Sequence, residues 1–304
     1  MTELPERSFP PGRHELLKEH LMTEIRQTEA PAQASAREKW LRPAFAAAAV
    51  ATAAAVTFVF LPPSGGGTNA QPPTKEAVAL LENVALAAER ETVPGDIRDD
   101  QFVYVESRVR YTTHAEGRTA KLDPVHKREI WLSVDGRHTG LVREGNGKGE
   151  NTLEPDLPLH EASANYRNLQ TLPTDPDKML KWLHRVSEGG ESEDQNTFVQ
   201  VGALSSEGLM PPAQSAALYR AAARIPGVVV IPDAVDAAGR HGVAVARAND
   251  GERQELIFDK ETKQFLGERI VAVEDLPDGP KKGELTGAGA IIERAVVDKP
   301  GQRP

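Results

Sequence analysis

The side chains whose types and spacing could support metal binding or catalysis are the histidines and a few carboxylates. Two histidines four residues apart around a glutamate would bind zinc from one helix face. No such pair occurs among the eight histidines, which stand at positions 14, 20, 114, 126, 138, 160, 184 and 241. His114, His126 and His138 are twelve residues apart on neighbouring predicted strands. We interpret that spacing as a coincidence of strand and turn lengths.

Three carboxylates, Glu129, Asp135 and Glu255, could be paired across strands as the general acid and base of a hydrolase. With 45 acidic residues among 304, such pairs arise by chance. The sequence has no cysteine and no G-x-S-x-G elbow, and its glycine-rich stretch at 145–150 lacks the following apolar helix of a phosphate-binding loop. We therefore predict no enzymatic activity, no metal and no cofactor.

Composition excludes one class of partner. The 36 basic residues are outnumbered by 45 acidic ones, which gives a net charge of -9, and the aromatic residues are only 8 Phe, 3 Trp and 4 Tyr. Nucleic-acid binding needs positive charge for the phosphates and aromatic rings for stacking. We expect no nucleic acid partner.

One apolar run, residues 44–61, carries no charge and separates the chain into an N-terminal and a C-terminal part. Eighteen helical residues extend about 27 Å, close to the hydrocarbon thickness of a bilayer. Arg37, Lys39 and Arg42 precede the run, whereas 62–74 is uncharged, so the positive-inside rule places the N-terminus in the cytoplasm. We predict a single-pass plasma-membrane protein. A buried soluble helix and a signal peptide cleaved after Ala70 are the alternatives.

Residues 1–43 form the predicted cytosolic tail, with one amphipathic helix. Leu17, Leu21 and Ile25 recur every four residues on one face, and we take them as candidate contacts for a cytosolic partner. The alternative is a helix that merely lies near the bilayer. Beyond the membrane, residues 62–73 are rich in proline and glycine and predict a flexible linker.

Residues 74–298 predict an extracytoplasmic α+β domain: a curved, half-barrel-like antiparallel sheet with helices on one face. Helical patterns start near 74, 175 and 211, and a fourth around 198–204 has enough β-branched residues to permit a strand. Period-two patterns predict strands near 102–111, 127–134, 138–143, 228–231, 241–247, 254–258, 265–273 and 291–297. Residues 299–304 are expected to be a disordered tail.

The sheet provides the candidate external site. Trp131 and Arg137 flank the end of one predicted strand, and if the sheet curves around a groove, its concave side could take an apolar ligand or a peptide. Trp131 and Trp182 are also typical packing residues, and Arg137 follows the Asp135-Gly136 turn signal.

Six segments carry a resemblance as a set: PPGRHELLKEHLM at 10–22, EIWLSVDGR at 129–137, LPTDP at 172–176, ALYRAAARIPGV at 217–228, IFDKET at 257–262 and LGE at 266–268. Together they resemble an actinobacterial family of single-pass membrane proteins of uncharacterised function. The strand, turn and IFDKET features are also similar, more distantly, to half-barrel lipoprotein carriers and sigma-factor regulators. The resemblance implies a regulatory role with a cytosolic partner such as a sigma factor. It brings no catalytic residue.

These inferences favour a bitopic membrane protein whose external sensor or binding domain regulates a signalling partner. The competing hypothesis is an extracytoplasmic carrier of lipid or lipoprotein with no cytoplasmic role. The N-terminal piece is too short for a zinc-type anti-sigma domain and has no cysteine ligand. A hydrolase acting on cell-wall material has no motif to support it.

Overall fold

The structure, a computed structural model, describes residues 71–113, 121–145, 149–158, 160–188, 192–276 and 279–304. The predicted membrane helix at 44–61 and the candidate contacts Leu17, Leu21 and Ile25 lie outside the described residues. Within them, no helix has both the length and the apolar character needed to cross a bilayer.

Helices and strands occupy separate stretches of the described chain, with strands on both sides of a helical middle section. The helices are α1 (Lys75–Ala88), α2 (Tyr166–Thr171), α3 (Pro176–Val186), α4 (Glu193–Glu207) and α5 (Pro212–Ala222). The strands are β1 (Phe102–Thr113), β2 (Lys121–Leu122), β3 (His126–Ser133), β4 (Gly140–Glu144), β5 (Gly149–Leu153), β6 (Val229–Val235), β7 (His241–Asn249), β8 (Glu252–Phe258), β9 (Phe265–Ala272) and β10 (Leu285–Val297). The predicted α+β class is confirmed.

Local side chains explain where the longer helices begin. The Thr74 hydroxyl accepts a hydrogen bond from the Ala77 amide, and the Asp175 carboxylate accepts one from Lys178 with proline at the next position. The fourth helical pattern, for which a strand remained an alternative, is helix α4, capped by Ser192. Each cap satisfies an amide that has no partner within its helix.

The strands form an open antiparallel sheet in the order β5-β4-β3-β1-β10-β9-β8-β7-β6, with β2 paired to β1. The first and last strands of the domain, β1 and β10, are neighbours in the middle of the sheet. Phe102 at the start of β1 lies opposite Val297 at the end of β10. The chain that follows β10 therefore emerges beside the β1 and β3 pair.

One face of the sheet is covered by the helices. Val245, Leu256 and Phe258 from β7 and β8 share one buried cluster with side chains of α1, α3, α4 and α5. Val103 and Ile130 pack with Tyr166 of α2 in a second cluster. Burial of these apolar side chains holds the two layers together.

We call the other side of the sheet the open face. Strand residues alternate between faces, so the neighbours of the helix-side residues point here. A third cluster on this face consists of Phe102, Tyr104, Trp131 and Val297, all from strands.

Close approach of β9 and β10 requires glycine at position 267, which predicts a sharp difference between two alanine variants. A Cβ atom at Gly267 would overlap the Gly289 carbonyl oxygen and lie 2.8 Å from Ala290 Cα, whereas the nearest atom to one at Gly289 is Glu268 Cγ at 3.8 Å. Gly267→Ala should lower the unfolding free energy by about 1–3 kcal/mol, the usual cost of overpacking. Gly289→Ala should leave urea unfolding nearly unchanged. Equal midpoints for the two variants would contradict this account.

Candidate functional site

A buried carboxylate on the open face is the most strongly built polar feature of β3. Glu129 is only 2% exposed. Its Oε1 accepts hydrogen bonds from the Tyr104 hydroxyl at 2.9 Å and the Arg303 Nε at 2.5 Å, while Oε2 accepts one from an Arg303 terminal nitrogen at 2.8 Å. The Lys127 ammonium lies 3.1 Å from Oε1. This carboxylate is therefore fully compensated by donors from three parts of the chain.

Strand register places these groups together. Lys127, Glu129 and Trp131 are alternate residues of β3 and share the open face. Tyr104 on β1 lies opposite Trp131, and Glu106 lies opposite Glu129. Both carboxylates contact the Lys127 ammonium, with Glu106 at 2.7 Å.

The environment fixes the charge of Glu129. Burial alone would raise its pKa, but the hydrogen bonds from Arg303, Lys127 and Tyr104 outweigh burial and lower the pKa to about 2. Burial and the hydrogen bond to Glu129 raise the pKa of Tyr104. At neutral pH, Glu129 is thus an anion and Tyr104 a neutral hydrogen-bond donor.

Trp131 completes the site beside Glu129. The Tyr104 ring lies 5.2 Å from the Trp131 ring, and the Arg143 guanidinium lies 5.2 Å from the indole centroid. The indole is 0% exposed, and its Nε1–H donates to the backbone oxygen of Gln302 at 2.5 Å. We name Tyr104, Lys127, Glu129, Trp131 and Arg143 the Trp–Glu site.

Residues 298–304, which we call the strap, occupy the Trp–Glu site. The Gln302 amide donates to the Lys299 oxygen at 3.2 Å, and Gly301 has φ of 84°, so Lys299 to Gln302 form a turn with Pro300 and Gly301 at its centre. Proline followed by glycine at positive φ is typical of a type II turn. A disordered tail was expected at 299–304. In the structure, the turn directs Gln302 and Arg303 back onto β3.

The second residue of the predicted groove lies elsewhere. Arg137 follows Gly136, at φ of 75°, in the turn after β3, and its side chain is 72% exposed. Its backbone amide donates to Asp135, whose pKa is lowered because this and a Ser133 hydrogen bond outweigh burial. Trp131 is covered by the strap, whereas Arg137 is in solvent, so the two do not line one open groove.

The carboxylates considered for acid–base chemistry have separate basic partners. Glu255 on β8 is 0% exposed and binds Arg253 and Arg269, at 2.6 and 2.8 Å. Glu129 binds Lys127 and Arg303 as described. In the part of the chain that the structure describes, no three histidine, aspartate or glutamate side chains are grouped to hold a metal ion.

Sequence reasoning missed Arg303, the strongest partner of Glu129. A signal was present, because Pro300-Gly301 predicts a turn and an arginine follows two residues later. What could not be read from the sequence is the position of that turn beside β3, since Arg303 and Glu129 are 174 residues apart.

No protein-family model matches the chain, and no curated protein matches it. Among solved structures, the crystal structure of MucB is similar to it with a TM-score of 0.26 and 13% sequence identity, over 76% of this chain and 61% of the MucB chain. The chain thus spans about three fifths of MucB.

Proposed function

We propose that residues 74–298 form the extracytoplasmic binding domain of a single-pass membrane protein that regulates a signalling partner inside the cell. The observation that supports a binding role is the Trp–Glu site, in which a peptide segment is seated on a buried carboxylate and an indole. Such a site recognises backbone and charge together. Binding of a partner at this site is the external event that the sensor would detect.

Packing between the helices and the sheet favours this function over a lipid carrier. Leu81, Phe198, Leu256 and Phe258 are each 0% exposed and belong to one cluster between the two layers. An acyl chain entering there would have to displace them, at a cost of several kcal/mol for each large side chain moved out of the core. Mass spectrometry of lipids extracted from the purified protein tests the carrier, since a bound lipid in stoichiometric amount would favour it.

The proposed internal contact is the apolar stripe of the N-terminal tail, and we expect it to retain a cytosolic protein such as a sigma factor. Replacing Leu17, Leu21 and Ile25 together by aspartate should remove that protein from pull-downs of the full-length chain in mild detergent, by about tenfold or more, because a charged stripe cannot bury against a partner.

Matched replacements on the other faces of the same predicted helix, Glu15→Ala, Lys18→Ala and Glu19→Ala, serve as the control and should leave retention unchanged. Retention of the same cytosolic protein by the aspartate variant, or of none by the unaltered chain, would show that the regulatory half of the proposal is wrong.

A further inference from the structure

We propose that the Trp–Glu site binds an arginine-bearing peptide segment of a partner protein, and that the strap occupies the site in cis and must be displaced first. This inference rests on the proposed binding function and names its ligand class and its regulation. It is carried by the geometry of residues 298–304 on β3.

The contacts define what the site selects. Arg303 presents two nitrogens to the two oxygens of Glu129, at 2.5 and 2.8 Å. Two parallel hydrogen bonds match the planar guanidinium fork, which the single ammonium of lysine does not provide. The Trp131 N–H requires a backbone carbonyl one residue before the arginine, the place taken by Gln302. The site therefore selects a peptide in which a backbone carbonyl is followed, one residue later, by an arginine side chain.

The site remains built when the strap leaves. Glu129 keeps the Tyr104 hydroxyl and the Lys127 ammonium, at 2.9 and 3.1 Å, as partners that belong to the sheet. These two contacts do not involve the strap, so they hold the carboxylate in place when the strap leaves. A preformed acceptor reduces the entropy that a partner loses on binding.

Outside the Trp–Glu site, the strap is anchored at the protein surface. It lies after the last residue of β10 and outside the strand ladder. Its first anchor, the Asp298 carboxylate 3.0 Å from Arg98, joins side chains that are 58% and 56% exposed. Exposed ion pairs of this kind contribute about 0–1 kcal/mol. The Arg303 side chain is itself 57% exposed above Glu129, so solvent and a competing peptide reach it.

Cis occupancy should weaken binding in trans. A segment tethered by a short linker competes at an effective concentration on the order of millimolar. Removing the strap's arginine while keeping its length should therefore expose the site, whereas removing Arg137, which is exposed and makes no contact with the strap in the described hydrogen bonds and ion pairs, should not.

The test uses the full-length chain in detergent micelles and a fluorescent peptide with the strap sequence, Asp-Lys-Pro-Gly-Gln-Arg-Pro. Fluorescence anisotropy should show that the Arg303→Ala protein binds this peptide about tenfold or more tightly than the unaltered protein, with Arg137→Ala equal to the unaltered protein. A peptide with lysine in place of arginine should bind about tenfold more weakly. Adding Glu129→Gln to the Arg303→Ala protein should abolish binding.

Two results would overturn the inference: equal affinities of the unaltered and Arg303→Ala proteins, or peptide binding that Glu129→Gln leaves intact. If the Arg303→Ala protein does not fold, hydrogen exchange of the unaltered protein tests displacement of the strap instead. Saturating unlabelled peptide should increase amide hydrogen exchange at Gln302 of the unaltered protein, whose amide is hydrogen-bonded to the Lys299 oxygen in the strap, and unchanged exchange would contradict displacement. Failure here leaves the pull-down with the N-terminal tail as a separate test of the proposed function.

Discussion

Replacing Glu255 by glutamine is expected to lower the unfolding free energy by about 3 kcal/mol. The substitution removes the negative charge that lies between two partly buried arginines, Arg253 and Arg269. Oε1 of Glu255 accepts hydrogen bonds from Arg253 at 2.6 and 2.8 Å, and Oε2 accepts one from Arg269 at 2.8 Å. The arginine side chains are only 21% and 18% exposed. A neutral amide would leave the Arg253 and Arg269 guanidinium groups side by side without the negative charge that both of them contact.

Urea unfolding of the full-length chain measures this loss as a lower midpoint with an unchanged slope. Glu261→Gln, an exposed glutamate in the turn between β8 and β9, is the matched control and should unfold like the unaltered protein. The double variant Glu255→Gln with Arg269→Gln should recover part of the loss, because it removes one of the two repelling charges. A Glu255→Gln midpoint equal to that of the control would contradict the role given to this carboxylate.

The strands that can be predicted from the sequence are those in which apolar and polar residues alternate, because one face of the strand is buried and the other is not. Residues 127–134 alternate clearly, and Asp135-Gly136 predicts the turn, so β3 and β4 were within reach of the pattern. β2 has two residues and β5 reads Gly-Glu-Asn-Thr-Leu, with one large apolar side chain. Their backbone hydrogen bonds to β1 and β4 stabilise them, and a local hydrophobic pattern cannot show such pairing.

Helix α4 shows a similar limit. Its β-branched residues left helix and strand open, and the structure resolves the choice through Ser192 at the cap and the burial of Phe198, Val201 and Leu204 against the sheet. Tertiary packing decided what local propensity did not.

The Trp–Glu site could be predicted only in part. Trp131 was singled out from its place on the far side of a predicted strand, and the site does contain it. Arg303 reaches Glu129 only because β10 pairs with β1, and β1 with β3, which places three distant segments side by side. Pairing between strands so far apart in sequence leaves no periodic signal in either one.

Acid should reveal the contribution of Glu129 to stability. Its pKa of about 2 in the folded protein lies below the usual 4.5, so its ionised form is stabilised by folding. The contribution is fully present above pH 4.5 and is lost as the pH falls toward 2. One pKa unit corresponds to about 1.4 kcal/mol, so Glu129→Gln should lower the unfolding free energy at pH 7 by up to about 3 kcal/mol.

The same linkage predicts that this difference shrinks with acid. Urea unfolding between pH 7 and pH 2 should give two curves, for the unaltered and Glu129→Gln proteins, that are parallel above pH 5 and converge below it. Other carboxylates are present in both proteins, so their contributions cancel in the difference. The curve of the Glu261→Gln control should coincide with that of the unaltered protein throughout, because the Glu261 side chain is exposed. A difference that stayed constant down to pH 2 would mean that the hydrogen bonds from Arg303, Lys127 and Tyr104 do not hold Glu129 ionised.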